Sequence, residues 1–321
     1  NNRFRELSVR VWYPASPGNR EKRMPYMQRD EARYLAMHTN SPVFILTHFS
    51  LIKTDSYLNS EPLKGHFPAI FYSPSGSIVD NTTLCQELAS HGYVVLSVGH
   101  PYWNAFYYNE KEKVVPLDVE NKHYKSMWED ENSSEVIKIK EEITNAKDLH
   151  SKQMAQQMLN EYMPEEVADI RLWAGDISFL LDQIEGKAIT GAAIFDNIDT
   201  SKVAAVGFSK GGAAAGQFCV TDNRCAAGIN LSGFMFGDAV ERPFTQPFMI
   251  MESIEPWCPD CDPICDLFYE NSLNAAYMVR INDATHANFT DFSLLRGVNR
   301  SQGNIGSING RSEERRVGKE C

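Results

Sequence analysis

Along the chain, short apolar runs alternate with amphipathic stretches, and their periods predict the elements. Arg5 to Ala15, RELSVRVWYPA, alternates apolar and polar residues and ends at a proline, as a half-buried strand does. Phe67 to Gly76, FPAIFYSPSG, is an apolar run closing on turn residues, which predicts a central strand. Thr82 to Tyr93 follows with Leu84, Leu88 and Ala89 on one helical face and Gly92 as a stop signal. Tyr93 to Pro101, YVVLSVGHP, is the next buried strand. Strand, helix and strand in such close succession predict a parallel βαβ unit.

The pattern then changes. From about Asn104 to Met163 charged and polar residues dominate, with scattered aromatics such as Tyr107, Tyr108, Trp128 and Tyr162. This stretch is expected to be a mostly helical excursion from the sheet, a cap and not a second domain. Order returns with Val167, Ile170, Trp173, Ile177, Leu180 and Ile184 at helical spacing. Strand candidates follow at Val203–Val206, near Ile229, near Met249 and near Met278. Internal repeats and low-complexity segments are absent.

Composition narrows the function classes. The 321 residues suffice for one large α/β domain with an insertion. A net charge of −11 argues against nucleic acid or an anionic membrane surface as the main partner. No run of about 18 apolar residues is present, so no bilayer-spanning helix is expected. The chain opens at Asn1 without an initiator Met or a signal-like segment, so any targeting region is expected to be missing. Residues 311–321, RSEERRVGKEC, show no apolar periodicity and are expected to be a non-native tail, leaving 1–310 as one domain.

The candidate chemistry sits in VAAVGFSKGGAAAG, Val203 to Gly216. An apolar strand runs into Gly207-Phe-Ser209-Lys-Gly211, and small residues let a helix begin close to the sheet. This is the G-x-S-x-G pattern of a nucleophile elbow, in which a tight strand-to-helix turn lifts a serine hydroxyl clear of the sheet. A serine hydroxyl needs a general base, and histidine is the usual one. Of eight histidines, His286 lies just past the last strand candidate, in NDATHANFTDF, the place where the base falls in this chain order. His100 and His91 flank the βαβ unit and are expected to be structural. An oxyanion hole needs two backbone N–H groups. Lys210, after the nucleophile, supplies one; the SPSGS loop supplies the other, from Gly76 or its neighbour Ser75, with Gly76 expected.

Taken together, LSVRVWYPA, FPAIFYSPSG, ELASHGYVVLSVGHPY, VAAVGFSKGGAAA, AGINLSGFMFGD and THANFTDF resemble the α/β-hydrolases of the platelet-activating-factor acetylhydrolase type (plasma and isoform II), with dienelactone-hydrolase relatives. The resemblance runs from Leu7 to Phe292. It implies an α/β-hydrolase fold with a mostly parallel sheet, and hydrolysis of short acyl esters, including acetyl ether phospholipids, by a serine triad without metal or cofactor. Aromatics of the cap, Trp103, Phe106 and Tyr107, are expected to shape an apolar pocket.

Two departures stand out. The family places its triad acid in the strand after the elbow, where this chain has Ser232. The acid is therefore expected from the loop after PFMIMES, at Glu255 ahead of Glu252, with Asp260 farther on. The alternatives are a Ser232-held water, a hydrolase-fold binding protein with impaired catalysis, or a serine hydrolase acting on lactone or peptide bonds. The family also continues past DFSLL into a final helix, which is expected to be missing here.

Cys258, Cys261 and Cys265 form a C-x2-C-x3-C cluster that lacks a second pair, so disulfides are favoured over zinc. Cys219 and Cys225 bracket a short loop and could close a small bridge. Loop cysteines of this kind favour a secreted or periplasmic setting. Asn81, Asn132, Asn288 and Asn299 each head an N-x-[ST] triplet, a pattern that carries meaning only in a eukaryotic secreted chain.

Overall fold

The computed structural model describes residues 5–16, 22–38, 40–109, 111, 113–121, 124–125, 133–189, 192–253 and 265–294. Eleven strands run in chain order: β1 (Val9–Trp12), β2 (Arg23–Pro25), β3 (Lys53–Tyr57), β4 (Phe67–Ser73), β5 (Val94–Val98), β6 (Phe106–Tyr108), β7 (Val114–Pro116), β8 (Ile198–Phe208), β9 (Cys225–Leu231), β10 (Phe248–Ser253) and β11 (Ala276–Ile281). The helices are α1 (Arg29–His38), α2 (Val43–Thr47), α3 (Thr82–Ser90), α4 (Ser134–Asn145), α5 (Leu149–Tyr162), α6 (Pro164–Glu185), α7 (Lys210–Thr221) and α8 (Cys265–Glu270).

Seven strands make one sheet in the order β1-β5-β4-β8-β9-β10-β11. Only β1 is antiparallel, pairing Val9 with Val98 and Trp12 with Val95. The other pairs are parallel. Parallel strands need a crossover between them, and helices cover both faces of such a sheet. The side-chain alternation of β4 shows it. Ala69 and Phe71 join a core with α4 to α7, while Ile70 and Tyr72 join a second core with α3 and Trp12.

Helix ends follow their capping chemistry. Ser133 accepts from the Val136 N–H at the start of α4, and Asp148 accepts from Ser151 N–H at the start of α5. Pro164 opens α6 at a position whose N–H would have no helical partner. Between residues 104 and 163 the described residues include the β6–β7 hairpin and helices α4 and α5. The latter two bury Val136, Ile139, Ile143, Ala155 and Leu159 in the main core.

Candidate active site

The strand β8 ends at Phe208, and α7 starts at Lys210. Ser209, between them, has φ 55° and ψ −126°, a left-handed-side conformation that costs energy for a residue with a Cβ. Two contacts hold it there. Its N–H donates to Leu231 O at 2.9 Å, and its carbonyl accepts from Gly212 N–H at 2.8 Å. The turn is tight enough to exclude side chains nearby. A Cβ on Gly207 would lie 1.9 Å from Gly211 O, and one on Gly211 would lie 1.9 Å from Ser73 O. The glycines are required by close backbone approach, and the sharp turn follows from them.

His286 opens a 3-10 turn (His286–Phe289) after β11, capped by reciprocal bonds between Thr285 and Asn288. Its Nε2 lies 3.0 Å from Ser209 Oγ, and its Nδ1 lies 2.9 Å from Ser232 Oγ. With Nε2 accepting the Ser209 proton, Nδ1 carries the ring hydrogen and donates it to Ser232 Oγ. The outer face of the imidazole is exposed, while Phe208 lies against it at 4.7 Å between centroids. Desolvation holds its pKa below the ordinary imidazole value, partly offset by the Ser232 backbone.

Ser232 follows β9 at φ 54°, again on the left-handed side. Its N–H donates to Met251 O at 2.7 Å, and Asn230 clasps the next residue, Gly233, at both its N–H (2.7 Å) and its C=O (2.8 Å). The position read from sequence as lacking an acid thus places a hydroxyl on the imidazole. The chain position was legible; the ability of a short serine to reach Nδ1 was not. Glu255 and Asp260 lie outside the described residues. Glu252 is buried and accepts from Arg280 Nε at 3.1 Å. It shares a strand face with Phe248 and Ile250, which belong to the main core, whereas Met251 packs in the core that holds Phe208. Glu252 therefore points away from the imidazole.

At the oxyanion side, the Lys210 amide stands at the first turn of α7, where N–H groups project from the helix N-terminus. Its ammonium is anchored on α6, 2.8 Å from Glu166 and 3.1 Å from Asp169, and lies 4.4 Å from the centroid of Trp103. Gly76 requires a correction. Its N–H, expected to face the oxyanion, donates to Asp80 Oδ2 at 2.8 Å. Asp80 was not singled out in the sequence. It accepts from Ser77 N–H as well, and burial pushes its carboxyl up to about 6 against those hydrogen bonds.

Beneath the elbow lies a second Ser-His-Asp set. Ser73 Oγ is 2.9 Å from His100 Nε2, and His100 Nδ1 is 2.9 Å from Asp176, which also accepts two bonds from Arg5. Trp173 stacks on the imidazole at 4.0 Å. Ser73 and His100 are wholly buried, so a substrate has no access to them. The expected structural role of His100 agrees with this placement.

The expected pocket aromatics need correcting too. Phe106 is wholly buried in a cluster with α1, and Trp103 is buried with Trp173 and Ala214, so both fill cores and neither is an open wall. Tyr107 is half-buried. Cys219 and Cys225 form a disulfide between the end of α7 and the start of β9. Cys265 is buried, while Cys258 and Cys261 lie outside the described residues, as do Trp128, Asn132, Asn299 and residues 311–321. Asn81 is buried, with its side chain bonded to Tyr72 and Phe289 O. Among the described residues no helix is long and apolar enough to cross a membrane.

The chain is similar to known proteins in sequence and in fold. The sequence profile described as platelet-activating factor acetylhydrolase, isoform II, matches residues 1–311. The platelet-activating factor acetylhydrolase of Canis lupus familiaris is 24% identical over 216 residues, covering 66% of this chain and 45% of the dog protein. That of Cavia porcellus is 26% identical over 218 residues, with 66% and 45% coverage. The matched region spans about half the length of these relatives. A ferulic acid esterase from Streptomyces cinnamoneus superposes with a TM-score of 0.70 at 19% identity, over 96% of this chain and 78% of that one, a likeness of fold. The fold is that of an α/β-hydrolase, and the chain belongs to the family of platelet-activating factor acetylhydrolase, isoform II.

Proposed function

We propose that this chain is a serine carboxylic-ester hydrolase acting on short acyl esters, with acetyl phospholipids of the kind the family's name denotes as the leading substrates. The observation that carries the reading is one imidazole between two serine hydroxyls, with Ser209 at 3.0 Å and Ser232 at 2.9 Å. Separations of about 2.6–3.2 Å suit proton transfer from a nucleophile to its base.

Chemistry follows from the geometry. His286 Nε2 takes the Ser209 proton as Oγ attacks the ester carbonyl, and the oxyanion forms against the Lys210 amide and an amide of the 75–77 loop. The imidazolium then protonates the leaving alcohol, leaving an acyl-Ser209 ester. A water molecule, deprotonated by His286, attacks that ester, and Ser209 regains its proton as the carboxylic acid leaves. Ser232 fixes the tautomer with the hydrogen on Nδ1 and supplies no charge. Glu255, the acid expected from the loop after β10, lies outside the described residues and is the carboxylate candidate for this place.

A hydrolase-fold binding protein is the second reading, and the uncharged Ser232 favours it. Turnover of p-nitrophenyl acetate decides between them. The esterase reading expects hydrolysis that Ser209→Ala abolishes; equal rates for parent and Ser209→Ala would favour the binding protein. A series of esters, lactones and anilides of graded acyl length then separates the bond types.

A further inference from the structure

Which amide of the 75–77 loop faces the oxyanion can be decided by accounting for every backbone group in it, since buried N–H and C=O groups are nearly all paired. The Gly76 and Ser77 N–H groups donate to Asp80 Oδ2, both at 2.8 Å. Ser75 O accepts from Asn104 Nδ2 at 3.0 Å, Gly76 O from Ala105 N–H at 2.7 Å, and Ser77 O from Asp80 N–H at 3.1 Å. Among the described residues no acceptor takes the Ser75 N–H. Register points the same way. In the β4–β8 pair Ser73 lies opposite Gly207, and just past the two strand ends, two residues farther on in each segment, come Ser75 and Ser209.

We propose that the Ser75 amide is the loop-side oxyanion donor and that Asn104 is the positioning residue that aims it. Asn104 is buried and bonded at both ends of its amide: its Oδ1 accepts from His100 N–H at 2.6 Å, and its Nδ2 donates to the Ser75 carbonyl at 3.0 Å. Holding the Ser75 carbonyl on one side, with the Gly76 amide held on the other by Asp80, fixes the Ser75–Gly76 peptide unit. The Ser75 N–H, which belongs to the preceding peptide unit, is the loop amide left available to an oxyanion formed at Ser209. His100 is itself locked by Ser73 and Asp176, so the chain of contacts runs from Arg5 through Asp176, His100 and Asn104 to Ser75. The inference rests on Ser209 being the nucleophile.

The test compares parent, Asn104→Asp, Asn104→Ala and Asp80→Ala in p-nitrophenyl acetate kinetics and in affinity for phenylboronic acid. The boronic acid bonds to a serine nucleophile as a tetrahedral adduct that presents an oxygen to the oxyanion hole. Asn104→Asp keeps the shape and the acceptor for His100 N–H but loses the donor to Ser75 O, so it serves even if Asn104→Ala fails to fold. Losing one oxyanion donor outright costs about 10²–10³ in kcat. Misaiming it is expected to lower kcat by about tenfold or more, with KM within about threefold and boronate affinity falling in parallel. Unchanged kcat and boronate affinity in both Asn104 variants would overturn the inference, and so would a rise in KM alone. A rise in kcat for Asp80→Ala, which frees the Gly76 amide, would assign the donor to Gly76 and overturn it too. A parent that fails to react at Ser209 with a fluorophosphonate would instead remove the nucleophile reading beneath it.

Discussion

His286 Nδ1 and Ser232 Oγ are 2.9 Å apart, so a hydroxyl occupies the side of the imidazole opposite the nucleophile. A neutral acceptor orients the ring but adds no negative charge when the imidazolium forms. Replacing it with a carboxylate should therefore strengthen the site. Asp tolerates the φ of 54° found at Ser232 better than most residues. Ser232→Asp is expected to raise kcat by about tenfold, the difference between a charge-assisted and a neutral hydrogen bond. Ser232→Ala is expected to lower it by about threefold to tenfold. Steady-state kinetics of the three proteins check this; a Ser232→Asp variant slower than Ser232→Ala contradicts it.

The same relationship sets the pH profile. His286 acts as a base only when neutral, and its pKa is held down by desolvation. The acid limb of kcat/KM should therefore lie below the ordinary imidazole value of about 6.5. In Ser232→Asp the new charge favours the imidazolium, so the limb should move to higher pH. A limb that stays in place in the variant would show that Ser232 does not govern the base.

Asp80 and Asp291 form a second pH-sensitive feature, this time of stability. Asp291 accepts from Tyr26 OH and Thr83 N–H, both at 2.9 Å, and burial pushes both carboxyls up to about 6. Their unfolded values lie near 3.9. Between about pH 4 and 6 the folded state binds more protons, so these groups lose stability as pH rises through that window and are destabilising above it. Asp291→Asn keeps an acceptor oxygen and removes the charge. Its Tm is expected to exceed the parent's by a few degrees at pH 8, with the gain gone at pH 4; an equal difference at both values would contradict the assignment.

Much of this was legible in the chain because the parallel strands are short, apolar and punctuated by turn residues. The seven sheet strands, α3 and α6 fall where the apolar periods put them; the central strands β4 and β5 and helix α6 bury most of their apolar residues. The segment from Ala15 to Phe67, with its short β2–β3 pair and α1–α2, carries no comparable period, so its elements are not legible in the sequence. At the site, Ser209 and His286 are marked by local motif and chain order. Asn104 and Ser232 reach Ser75 and His286 through hydrogen bonds from distant loops, which no spacing encodes, while Asp80 folds back on its own loop at Gly76 and Ser77 without a recognisable motif. Trp103 and Phe106 were misplaced because aromatic residues beside a polar stretch suit a buried core and a pocket wall equally.

The close approach at Gly211 gives a test of the elbow itself. Its missing Cβ leaves room for Ser73 O, a backbone atom at the end of β4 that has no freedom to withdraw. Gly211→Ala is expected to displace α7 from the sheet, with esterase activity lost and Tm lowered. Near-parental activity and Tm in this variant would mean the turn is looser than described.

The most direct test of the central claim is the mass of the protein after brief reaction with a fluorophosphonate, followed by peptide mapping. One adduct per chain, located on Ser209 and absent when Ser209→Ala or His286→Ala is treated alike, is the expected result. Labelling elsewhere, or an unlabelled Ser209 in a protein that hydrolyses p-nitrophenyl acetate, would contradict the account.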